Sequence, residues 1–159
     1  MHLSEGEQIL KVYHHHPTPF VFTLIKIIIG TIPFFLLMYL FKKSLPVKWY
    51  IVGHLIIFLI FSLVIIYAAL VYWLDKLVVT NLRIVFIDWK FLTIRDETEA
   101  FLDDIEDIRT QERGMLSSLK ILDYGMFEVE TAASTITIKF TDAPDPEEIR
   151  NYIYHVKKQ

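Results

Sequence analysis

The chain contains no cysteine. Disulfide frameworks, thiolate-ligated zinc and thiol nucleophiles are therefore excluded. Glycine is scarce, with five scattered among 159 residues, and neither a Gly-rich phosphate loop, nor Gly-x-Ser-x-Gly, nor His-Glu-x-x-His occurs. Ser117 and Ser118 have no neighbouring His to serve as a base. The expectation is a protein that is not an enzyme and carries no cofactor. A basic surplus is also missing from the C-terminal part. From Asp75 onward 11 Lys+Arg stand against 17 Asp+Glu, a net of −6, whereas the residues before it carry 5 against 2. An acidic domain is repelled by phosphodiester backbones and by anionic lipid, which argues against nucleic acid and against phosphoinositide-type capture.

Apolar residues, by contrast, are abundant. They make up 53% of the chain, and mean hydropathy is +0.40. The excess is concentrated in residues 20–41 and 49–74. At ~1.5 Å per residue, 20–41 and 49–73 make helices of roughly 33 and 37 Å, each long enough to cross a bilayer. The second carries Trp49 and Tyr50 at one end and Tyr72 and Trp73 at the other, as interfacial aromatic belts do. The first lacks a small-x-small cleavage site and is preceded by Lys11 alone among Lys and Arg, so it is expected to be retained.

Gly30 and Pro33 predict a kink in the first span, because proline cannot donate to the preceding turn. Lys26 and His54 lie within reach of an interface; read functionally they form an ion relay, read structurally they snorkel from a two-helix anchor. Residues 42–48, with Pro46, are too few for anything but a turn, so the spans form an antiparallel hairpin whose ends face one side. Lys42, Lys43 and Lys48 in that turn nearly balance Lys11, Lys76, Arg83 and Lys90 on the opposite side. The organisation expected is a lead at 1–19, a transmembrane hairpin at 20–74 and a β domain at 75–159.

After Leu74 the pattern shifts to short runs rich in Val, Ile and Phe. Residues 76–80 and 83–89 flank Asn81-Leu82, read as a tight turn with Asn81 available for a left-handed conformation. A further strand runs from 91–94 toward Leu102, and 124–131 pairs with 135–140 across Ala132-Ala133-Ser134. A helix at 146–158 follows, with Asp145 as N-cap, Pro146 at the first position and Glu148 completing a capping box. Its stripe Ile149, Tyr152, Ile153 and Val156 should pack on the sheet.

Seven carboxylates lie between Asp96 and Asp107, but without the glycine that a calcium loop requires, they read as a solvated acidic face. His14, His15 and His16 are adjacent, and only His14 and His16 share a strand face, so metal binding is not favoured over an interfacial role. The joint between Trp73 and the first strand is very short. If the second strand returns to the bilayer, it brings Trp89, Lys90 and Phe91 to the headgroups as membrane-interface contacts.

The order of these elements resembles the bacterial pleckstrin-homology-like family of membrane-flanked proteins, the YdbS-like group. The resemblance rests on Glu5-Gly6-Glu7-Gln8-Ile9 and the His run before the first span, the two-helix hairpin, and Val79-Thr80-Asn81-Leu82-Arg83-Ile84-Val85, similar to the family's Thr-x-x-Arg. It extends to the segment 105–108, Tyr124-Gly125, the alternating 127–131 and Asp142-Ala143-Pro144-Asp145-Pro146. It implies a seven-stranded, strongly bent PH-like sheet or barrel capped by the C-terminal helix, on the cytoplasmic side of the cell membrane with both termini. It implies no enzymatic activity and carries over no binding residue.

The function expected is a non-enzymatic, membrane-anchored module mediating protein interaction or assembly at the inner membrane surface. Its partners would be the bilayer and a membrane or cytoplasmic protein, with homo-oligomers allowed. Two alternatives are a lipid-headgroup or envelope-stress sensor and a small oligomeric transporter or channel subunit.

Overall fold

The computed structural model describes residues 2–90, 92–113, 124–131 and 134–158. The chain divides into two compact units. One unit is Pro19–Leu70; the other joins Met1–Thr18 to Val71–Gln159.

The first unit holds most of two helices, α1 (Pro17–Leu40) and α2 (Val47–Leu74), with a single 3-10 turn at Phe41–Lys43 between them. Both are long and apolar enough to cross a membrane. Each begins two or three residues earlier than hydropathy suggests, and α1 continues helically through Pro33. The helices run antiparallel, since Phe34 meets Phe61 edge-on at 5.4 Å and Phe35 lies 5.7 Å from His54. His54 turns Nδ1 to the Tyr50 carbonyl one turn earlier at 2.9 Å, and Lys26 is exposed on α1.

In the other unit, the lead is not a tether. Residues 9–14 form strand β1 (Ile9–His14), which pairs antiparallel with β2 (Lys76–Thr80). The sheet continues through β3 (Arg83–Lys90) to β4 (Ile94–Phe101), in the order β1-β2-β3-β4. A second antiparallel sheet holds β5 (Ile105–Arg113), β6 (Tyr124–Thr131) and β7 (Ser134–Pro144). These are the seven strands of the PH-like fold, arranged as two sheets closed by the helix α3 (Pro146–Lys157). Of the other sequence readings, Phe91, Ser117, Ser118, Ala132 and Ala133 lie outside the described residues.

Burial explains why these segments are strands. Leu77 and Val79 face the main core while Val78, between them, joins Val85 and Ile87 on the opposite face, which is why β2 reads as an unbroken apolar run. The main core draws Ile84 and Ala100 from the first sheet and Phe127, Val129, Ile138 and Phe140 from the second. Ile149, Ile153 and Val156 of α3 close it, with Tyr152 half-buried at the rim. Gly125 is required where β6 passes β5, because a Cβ there would come within 2.9 Å of Pro146 Cγ and closer still to the Gln111 carbonyl.

Two local readings are corrected. The turn after β2 does not use a left-handed Asn81; the positive φ values among described non-glycine residues belong to Leu92, Asp142 and Asp145. The capping box at α3 is half made. The Asp145 carboxylate accepts from the Glu148 amide at 2.9 Å, while the Glu148 side chain turns away to Lys11.

Candidate functional site

The structure places the motifs at two ends of the four-stranded sheet. At the turn end, Glu7 and Arg83 bring the two motifs of the resemblance into contact. The Glu7 side chain is fully enclosed and its carboxylate accepts four hydrogen bonds. Oε1 takes Thr80 Oγ1 and Arg83 Nε, each at 2.9 Å; Oε2 takes the Ser4 amide at 2.8 Å and Arg83 Nη2 at 3.0 Å. Thr80 Oγ1 in turn accepts from the Leu82 and Arg83 amides, which shapes the turn. Asn81 completes the latch by exchanging hydrogen bonds with Gln8 and Gly6 instead of adopting an unusual backbone. A carboxylate so surrounded by donors is stabilised in its charged form, and the Arg83 guanidinium holds the Glu7 pKa down at about 2. Glu7 reciprocally raises that of Arg83.

At the other end, the residues flanking the apolar hairpin converge. The His15 ring lies between the Thr141 carbonyl, 2.7 Å from Nδ1, and Asp75 Oδ2, 3.6 Å from Nε2, with Phe140 packed 4.8 Å from its centre. Asp75 Oδ1 accepts from the Trp89 amide at 2.7 Å, and the Tyr72 hydroxyl donates to the His15 carbonyl at 2.7 Å. The last turn of α2, the end of β1, the end of β3 and β7 are therefore fastened at one point. His15 therefore ties the end of β1 to β7 and to the residue after α2. Burial and the nearby Asp75 raise the pKa of Asp88.

The three histidines go separate ways. His14 lines an apolar cavity of about 400 Å³ with Tyr72 and Trp73, His15 turns to Asp75, and His16 stacks on Tyr124 at 5.7 Å. Among the described residues no group of three or more His, Asp or Glu is placed to hold a metal ion. The carboxylates from Asp96 to Asp107 are all exposed, and Asp96, Glu97, Glu99 and Asp107 pair with Lys90, Arg95, Arg83 and Arg109. The acidic stretch is a solvated face, as its composition suggests.

Of the residues expected at a membrane interface, Trp89 is half-buried against Val78, Val85 and Ile87, with the Arg95 guanidinium 5.9 Å from its ring centre. Lys90 is exposed and bonded to Asp96 at 2.7 Å. The latch was missed because Glu7 and Arg83 are 76 positions apart. Their presence in two separate motifs is the signal that could have joined them.

The family model described as "Bacterial PH domain" matches residues 59–155, more than half of the chain. No curated protein and no solved structure matches it.

Proposed function

Since this chain belongs to the bacterial PH domain family, we propose that it is a membrane-tethered, non-enzymatic interaction module whose PH-like domain engages a protein partner at the inner surface of the cell membrane. The observation that carries this reading is the fastening of both hairpin ends into one folded unit through β1 and β2. A domain built from chain on both sides of the hairpin has to assemble on one side of a bilayer. Exposed Phe101 on strand β4, on the same strand face as Glu97 and Glu99, then offers apolar contact beside acidic side chains. Proximity labelling from the C-terminus in living cells tests both parts. We expect cytoplasmic neighbours with one or a few proteins strongly enriched; labelling confined to the outer side, or a background with no enriched protein, would remove this reading.

A lipid-headgroup reading draws on the cavity beside Trp73 and on Trp89 and Lys90 at the returning end of β3. With the other two tryptophans replaced, Trp89 fluorescence should be quenched by lipid-borne quenchers in the reconstituted full-length chain. An unquenched signal means that Trp89, Lys90 and Phe91 do not meet the bilayer.

A further inference from the structure

The β1 strand carries a bulge between Ile9 and Lys11, so that Lys11 pairs with Val79 and Tyr13 with Leu77 on the core-facing side. Lys11 thereby reaches over the rim of the core toward α3. Its Nζ lies 4.7 Å from the centre of the Tyr13 ring and 5.1 Å from that of Tyr152. The two rings stand edge to face, 6.5 Å apart and inclined by 74°. Glu148 Oε1 accepts from the same nitrogen at 2.7 Å. Beside it the Tyr13 hydroxyl is buried without a hydrogen-bond partner, the one such side-chain atom among the described residues.

Two aromatic faces and a carboxylate around one nitrogen constitute the chemistry that recognises ammonium groups. We propose that Tyr13, Tyr152 and Glu148 form a lysine-ammonium site, held by the chain's own Lys11 and open to a lysine of a protein partner in its place. The resident is replaceable because the Lys11 side chain is 38% and that of Glu148 57% exposed, so the ammonium leaves into solvent without opening the core. An ethanolamine headgroup has the same ammonium but brings a phosphate two carbons away, which would sit against Glu147 and Glu148 on an acidic domain. A lysine on a four-carbon stem brings no such charge.

The inference rests on the interaction-module reading and specifies its partner's chemistry. In the unmutated full-length chain in detergent micelles, tetramethylammonium should displace Lys11 and raise its rate of acylation about threefold or more relative to Lys76, measured by mass spectrometry. Glu148→Gln should raise Lys11 acylation without added cation. In Lys11→Ala, a lysine-bearing peptide should give saturable shifts of the Tyr13 and Tyr152 ring resonances that the same peptide with acetylated lysine does not. Vesicles containing ethanolamine lipid should give no such shifts. Acylation of Lys11 indifferent to tetramethylammonium and to Glu148→Gln overturns the site; shifts with ethanolamine vesicles and none with the peptide overturn the choice of partner. Because these probes are small and defined, their failure leaves the labelling result standing, and a failed labelling leaves the site standing.

Discussion

Deleting residues 2–14 is expected to unfold the β domain while leaving the two apolar helices formed. The deletion strips β2 of its partner along Lys76–Thr80, removes Tyr13 from the core and leaves Arg83 without Glu7. Losing a buried aromatic side chain alone costs about 3 to 5 kcal/mol. Breaking a largely enclosed ion pair from one side adds roughly 2 to 4 kcal/mol, less than for a fully buried pair because Arg83 retains some solvent. Together these rival the whole stability of an ordinary domain, about 5 to 15 kcal/mol. Hydrogen exchange of the full-length and truncated chains in micelles is the measurement. Amides of β2 and β3 should lose protection, and a synthetic peptide spanning 2–16 should restore part of it by strand addition. Native-like protection of β2 in the truncated chain would mean that β1 is dispensable.

Glu7→Gln should produce the largest effect of any single charge change, about 2 to 4 kcal/mol, because Arg83 and the Ser4 amide then face a group without charge. Glu5→Gln, at an exposed position one residue beyond Ser4, should change stability by less than ~0.5 kcal/mol. The effect also has a pH signature. The Glu7 pKa falls from 4.5 to about 2 on folding, so its contribution is fully present above pH 4.5 and lost as pH falls toward 2. Urea midpoints of wild type and Glu7→Gln, read by near-ultraviolet circular dichroism, should therefore lie far apart at neutral pH and converge in acid. A constant gap across that range would assign the stability to something other than this carboxylate.

How far the sequence foretold this structure depends on how local each signal was. The hairpin, β2, β3, β6 and α3 were legible to within a few residues because each depends on its own periodicity, turn or cap. Five strands could be read from 75–159, and the resemblance implied seven; the places of β1 and β5 were the two that the residues did not reveal. Ile9, Lys11 and Tyr13 carry no strict alternation, and the bulge between Ile9 and Lys11 interrupts what there is. The partner that makes β1 a strand lies beyond two membrane-length helices, where no local rule reaches. The same holds for the polar contacts. Glu148 was read correctly in position but not in aim, because its capping role and its pairing with Lys11 compete and only the tertiary fold decides between them. His15 looked least promising of the three histidines until Asp75 and Thr141 were brought around it.

The insertion of the hairpin between β1 and β2 also fixes an order of events during synthesis. His14 and its partner Lys76 are 62 positions apart. At about 5 to 20 residues per second the ribosome delivers the second strand roughly 3 to 12 seconds after the first. Both apolar helices emerge in that interval, so β1 has no strand to join until they have been made. Sheet closure follows synthesis of both helices. Once the helices stand antiparallel, the effective loop between β1 and β2 is far shorter than its residue count, and the entropy of closing it falls accordingly. A chain whose two helices fail to pair therefore carries an unfinished sheet with an open β2 edge, the kind of surface on which quality-control proteases and aggregation act.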